Sequence, residues 1–112
     1  EEMLKWAQAE QVVLSGILNT HQHHDHIRGN EVLLRAGVPL LSRIEEFAIG
    51  VAEKHTWQAP GHTLEHVVFW FKDGDERHCF VGDTLFQVGV GNCKHGGDPS
   101  ALFRTLQELA RR

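Results

Sequence analysis

Positive charge, cysteine and long apolar runs are all scarce in this sequence. Eleven lysines and arginines stand against 15 acidic residues, giving a net charge of −4. No basic face is visible, which argues against nucleic acid as a partner. The two cysteines, Cys79 and Cys93, are too few for a disulfide framework, and nothing points to export. Cys79 lies in an apolar run and is expected to pack as a small hydrophobe. No apolar stretch approaches the roughly 20 residues that cross a bilayer, and Glu1-Glu2 does not open a signal peptide. The expectation is therefore a cytoplasmic protein with no membrane partner. Its oligomeric state is not legible. The 112 residues, 41% hydrophobic, suit one small domain with a modest core.

What the sequence has in excess is histidine: nine residues, five of them in two short stretches. Thr20-His21-Gln22-His23-His24-Asp25-His26 follows the apolar run Val12 to Leu18, which reads as a buried strand. Imidazole suits zinc and iron, carboxylate suits harder ions, and the mixture suits a hydrolytic site. The spacing of His21 and His23 fits an extended or looping backbone that aims both rings at one ion. Asp25 and His26, one step further round the turn, can face a second. His24 is expected at the surface or behind the ligands.

In order, residues 1–9 read as a helix with Leu4, Ala7 and Met3 inward, and Val12 to Asn19 as the first strand. Asn30 is positioned to cap a helix over Glu31 to Ala36, stopped by Gly37-Val38-Pro39. A short strand at Val38 to Leu41 and a helix from Arg43 to Ile49 follow. Strands are expected at Thr56 to Gln58 and His66 to Lys72. A turn at Asp73 to Glu76 then leads to an antiparallel partner over Arg77 to Val81. Alternation places Val67, Phe69 and Phe71 opposite Val68 and Trp70, with both faces covered. A glycine-rich loop, Gly82 to Gly97, leads to a last helix capped by Asp98 with Pro99 in its first position. Leu102, Phe103, Leu106, Leu109 and Ala110 make its expected buried stripe. Helices and strands interleave, and the candidate ligands lie in loops at strand ends, as in a layered α/β protein.

The stretch His21 to His26 resembles the His-x-His-x-Asp-His signature of the metallo-β-lactamase-fold hydrolases. Ala59-Pro60-Gly61-His62-Thr63 and Val81-Gly82-Asp83-Thr84-Leu85-Phe86 add to the resemblance, and the last looks most like the glyoxalase II branch (hydroxyacylglutathione hydrolase). Read alone, His62 is a turn histidine and Asp83 an ordinary loop aspartate. The resemblance implies an αββα sandwich. It also implies His21, His23 and His62 as ligands of a first ion, Asp25 and His26 as ligands of a second, and Asp83 as the bridge. The implied cofactor is one or two zinc ions, with iron or manganese as substitutes. Asp25 and Asp83 carry the implied catalytic roles, and water activated by the cation attacks the carbonyl of a small-molecule thioester. His66 is expected to be structural and hydrogen-bonded beneath the site, and His55, His78 and His95 to lie on the surface.

Three departures qualify the resemblance. No histidine follows the last helix to complete the second ion's ligands, the opening strands of the first sheet are missing, and the spacer from Asn30 to His62 is short. We therefore expect residues 1–112 to form one metallo-β-lactamase-like domain that is a fragment of its sandwich. The lysine and tyrosine that hold glutathione in glyoxalase II have no clear counterpart. The sequence has no tyrosine, and Lys94 offers a cation to an acidic substrate in a different register. A persulfide dioxygenase-like oxidoreductase with a single iron, and a metal-binding fragment without turnover, remain as alternatives.

Overall fold

The computed structural model describes residues 1–47 and 53–112. Its centre is a three-stranded antiparallel sheet in the order β1-β2-β3, built from β1 (Glu53–Gln58), β2 (Val67–Asp73) and β3 (Glu76–Phe80). A two-residue turn joins β2 to β3, with Asp73 paired to Glu76 and Gly74 at φ +60°, a conformation open to glycine at no steric cost. β2 is the middle strand, as its two apolar faces predict. Val68 and Phe69, neighbours that point to opposite faces, are both buried. Towards the turn the cover thins, and all of β3 is exposed. Cys79 is exposed with it rather than packed as a small hydrophobe, because no further layer lies over that strand among the described residues.

The two faces have different neighbours. On one, Trp57 stacks on Trp70, and the Arg112 guanidinium lies 4.1 Å from the centre of a Trp57 ring. That end belongs to α4 (Pro99–Arg111). On the other, Phe71 stacks on His78 and Phe80. A 3-10 turn at Ile44–Glu46 meets β1 there, where the Thr56 hydroxyl accepts from the Ile44 N–H at 2.8 Å. Glu46 reaches back to accept from the Ser42 and Arg43 backbone N–H groups, so a carboxylate caps this turn. The rest of the helix expected through Ile49 lies outside the described residues.

The N-terminal part carries α1 (Glu2–Ala9), α2 (His24–Ile27) and α3 (Asn30–Arg35). Ala7 is buried and Leu4 half-buried, while Met3 is exposed. Two expectations change. Val12 to Asn19 does not form a strand. Its only pairing among the described residues is a parallel bridge between Ile17 and Leu40, and Val13 is 87% exposed. A strand needs a ladder, and here the neighbouring chain offers one short contact: Pro39 has no N–H to donate, and the backbone turns away after Leu41. For the same reason Val38 to Leu41 contributes a bridge instead of a strand. Second, Asn30 is the first residue of α3, not its cap, and no side chain among the described residues caps that helix. Its stop is as expected: Gly37, at φ +89°, donates to the Leu34 carbonyl and Val38 to that of Leu33. These are the two bonds of a Schellman ending, and they seat Val38 in the core.

α4 is capped by Asp98, whose Oδ1 accepts from the Ser100 N–H at 3.0 Å. Its buried stripe is Ala101, Leu102 and Thr105, rotated from the one expected. Phe103 is 64% exposed and Ala110 is exposed as well. The rotation follows from what the helix sits on, which is backbone: a Cβ at Gly61 would lie 2.5 Å from Leu102 Cα, and the Thr105 hydroxyl donates to the Pro60 carbonyl at 2.6 Å. Small and polar side chains make that approach possible. Helices around an antiparallel sheet place the chain in the α/β class. Of the two sheets of a full sandwich, a ladder forms in one among the described residues.

Candidate metal centre

Three loops converge at the end of the sheet where β2 begins. The first runs from the Ile17 bridge through Thr20 and is tied to β2 by the Val67 N–H, which donates to the Thr20 carbonyl at 2.8 Å. It delivers His21 and His23, and α2 then turns His26 back towards His21. The expected looping backbone is thus an extended pair followed by one helical turn. The second loop, Pro60-Gly61-His62, is clamped between β1 and α4. There the Gly61 carbonyl accepts from the Asp98 N–H at 2.8 Å. The third is Gly82-Asp83-Thr84, just after β3.

The donor atoms form two overlapping groups, His21, His23 and His62, and His21, His26 and Asp83, each with all its ligand atoms within 4.8 Å of one another. His62 Nε2 lies 3.1 Å from His23 Nδ1 and 3.2 Å from Asp83 Oδ2. His26 Nε2 is also 3.2 Å from Asp83 Oδ2, and His21 Nε2 is 3.7 Å from it. Nitrogen and oxygen ligands about 2.0–2.1 Å from a tetrahedral ion stand about 3.3 Å apart, and these separations bracket that value. Asp25 lies at the rim, its side chain 73% exposed and its Oδ2 3.6 Å from His26 Nε2. It belongs to neither group. His24 is exposed.

The protonation pattern decides what the cluster can hold. His62 Nδ1 contacts the Asn92 carbonyl, and His23 Nε2 contacts the His95 carbonyl at 2.9 Å. A carbonyl only accepts, so both of those nitrogens carry the proton. In the neutral rings His62 Nε2 and His23 Nδ1 are then bare lone pairs facing each other beside a carboxylate oxygen. His21 Nε2 is buried and has no hydrogen-bond partner among the described residues, a state that ordinarily costs about 1–3 kcal/mol. Its ring is held from the other side by the Thr20 hydroxyl, 2.9 Å from Nδ1. Burial, followed by the neighbouring His26, lowers the His21 pKa to about 4, so the ring is neutral and free to ligate at pH 7. Lone pairs, an orphaned buried nitrogen and a carboxylate aimed at one space fit a divalent cation.

Sequence reasoning missed the groups that orient these candidate ligands. Asn92 and His95 act through backbone carbonyls, which no residue type signals. The available hint is glycine. A Cβ at Gly91 would lie 2.8 Å from His62 Nδ1, and one at Gly97 would collide with the Gly61 carbonyl, so this loop must be bare to close over the site. His66 is buried and lies beneath the ligands as expected, and the exposed His95 ring supplies no ligand atom to either group.

The sequence pattern of the metallo-beta-lactamase superfamily matches residues 1–49, and the fold is similar to solved metallo-β-lactamase folds. The chain is similar to hydroxyacylglutathione hydrolases. It is 36% identical to that of Nitrosococcus oceani over 87% of this chain and 44% of the relative. It is 34% identical to that of Rhodospirillum rubrum over 97% of this chain and 48% of the relative. The chain spans about half the length of the curated relatives it matches. Among solved structures it resembles TTHA1623 in a di-iron-bound form, with a TM-score of 0.79 at 25% identity over 99% of this chain and 71% of the other. It also resembles a metallo-beta-lactamase from Pontibacter korlensis, with a TM-score of 0.80 at 22% identity over 99% and 62%.

Proposed function

We propose that this chain carries the metal centre of a metal-dependent hydrolase that cleaves a thioester of the hydroxyacylglutathione type. The observation behind the reading is the convergence of bare nitrogens, His62 Nε2 and His23 Nδ1 at 3.1 Å with the orphaned His21 Nε2. His21, His23 and His62 would hold a first ion, His26 and Asp25 a second, and Asp83 would reach both. A bound divalent cation lowers the pKa of a water to about 7 and polarises a carbonyl oxygen. The chain's own residues do the rest. The Asn92 and His95 carbonyls keep His62 and His23 in the ligating tautomer. A cleft of about 540 Å³ beside His26 and Gly82, lined by Leu18, Ile44 and Phe69, gives an acyl or thiol group an apolar seat. The relatives' name supports a thioester as substrate, and Lys94 would offer a cation to an acidic thiol.

The test is thiol release. With zinc restored after chelation, the chain should liberate glutathione from a hydroxyacylglutathione, and His21→Ala should abolish the release. No thiol release by the zinc-, manganese- or iron-loaded chain would overturn the reading.

A second reading has its own observation. His21, His26 and Asp83 lie within 4.8 Å of one another and form a two-imidazole, one-carboxylate set of the kind that binds non-haem iron for oxygen chemistry. TTHA1623 is known in a di-iron-bound form. Oxygen consumption by the iron-loaded chain with a persulfide, without thiol release from a thioester, would favour it.

A further inference from the structure

We propose that His66 is a positioning residue that fixes the Asp83 carboxylate by holding the backbone beneath it. His66 is among the most deeply buried side chains of the chain, 1% exposed, and its ring stacks on that of His21 with centroids 4.7 Å apart. Both of its nitrogens are used by one dipeptide. Nε2 accepts from the Asp83 backbone N–H at 3.3 Å, and Nδ1 lies 3.2 Å from the Thr84 hydroxyl. An amide N–H only donates, so Nε2 is bare, the neutral ring carries its proton on Nδ1, and that proton goes to the Thr84 oxygen. The tautomer is therefore set by the chain itself.

Among the described residues, His66 is the one side chain that bonds the backbone of the Gly82-Asp83-Thr84 loop above. Gly82 sits at φ +54°, and a Cβ there would lie 2.8 Å from His66 Nε2 and against Thr20. The loop is thus bare where it presses on the imidazole. Asp83 follows at once, with its carboxylate within 3.2 Å of His26 and His62. Thr84 is fully buried, so the far side of the dipeptide is pinned too. Rotation of the Asp83 backbone would swing its carboxylate off both imidazoles, and the Nε2 bond resists that rotation. Stacking on His21 ties the same ring to the most buried ligand.

This inference rests on the reading of Asp83 as a metal ligand, and the experiment separates the two. Cobalt(II) is titrated into the metal-free chain and its affinity and visible spectrum are recorded. Glutamine places its amide where Nε2 stands and asparagine where Nδ1 stands. His66→Gln should keep cobalt affinity within about threefold and preserve the spectrum. His66→Asn should weaken binding by about tenfold or more, in the range typical when the partner behind a ligand is lost. In an Asp83→Ala background His66→Asn should change affinity less than twofold, because the residue through which it acts is gone. Equal losses for both amides, or an undiminished loss in the Asp83→Ala background, would overturn the proposal while leaving the metal centre standing. A chain that takes up no cobalt would remove the metal centre itself. If both variants fail to fold, nitrogen NMR of the unmodified metal-free chain decides: a protonated Nδ1 on His66 supports the inference, and a protonated Nε2 refutes it.

Discussion

At the scale of single residues, His21 matters most because both donor groups share it. Its Nε2 is the one buried side-chain nitrogen without a hydrogen-bond partner among the described residues. His21→Ala should abolish tight zinc binding, measured by calorimetry after chelator treatment. His26→Ala, which leaves His21, His23 and His62 in place, should keep one tight site. Two tight sites surviving in either variant would contradict this. Burial also gives the residue a pH signature. The pKa values of His21 and His66 are lowered from 6.5 to about 4 in the folded chain, mainly by burial. Between those values the unfolded chain binds more protons, so stability falls as pH drops from about 6.5 to about 4 and levels off below. The slope is at most about 1.4 kcal/mol per pH unit for each group. Urea unfolding of the metal-free chain at pH 7 and pH 4.5 checks this, and equal midpoints would refute it.

At the scale of elements, α4 is the clamp that holds the His62 loop. Leu102 is buried against Gly61, whereas Phe103 beside it is exposed. Leu102→Ala should cost about 2–4 kcal/mol of unfolding free energy. Phe103→Ala should cost no more than about 0.5, and the reverse order would show that the helix is seated on its other face. Asp98→Ala removes the cap bond to Ser100 and should cost about 1 kcal/mol. Displacement of His62 by the Leu102 variant should also weaken zinc binding, which links packing on the sheet to the chemistry at its end.

At the scale of the whole molecule, three loops far apart in sequence meet at one point, and a cation there would join them. Zinc binding should therefore stabilise the whole chain. At a free concentration 100 times the Kd, the unfolding free energy should rise by about 2.7 kcal/mol, and a chelator should reverse the gain. A melting temperature indifferent to zinc would mean that the loops do not converge on an ion in solution.

Much of this was legible in the residues themselves. The candidate ligand types, the Gly74 turn, the Asp98 cap, the central place of β2 and the helix stop at Gly37 are local, because each depends on neighbours a few positions away. Only the tertiary structure decided the rest. Val12 to Asn19 has the composition of a strand, yet a strand exists by its ladder, and one bridge to Leu40 is all this segment finds. The stripe of α4 turned away from Phe103 because the surface beneath it is glycine backbone, which periodicity cannot register. His62 and Asp83 read as ordinary loop residues until folding brings them within 3.2 Å. The carbonyls of Asn92 and His95, which set the tautomers, belong to no motif at all. Residue type determines what a side chain can donate or accept; which partner it meets across 30 or 72 positions is a property of the folded chain.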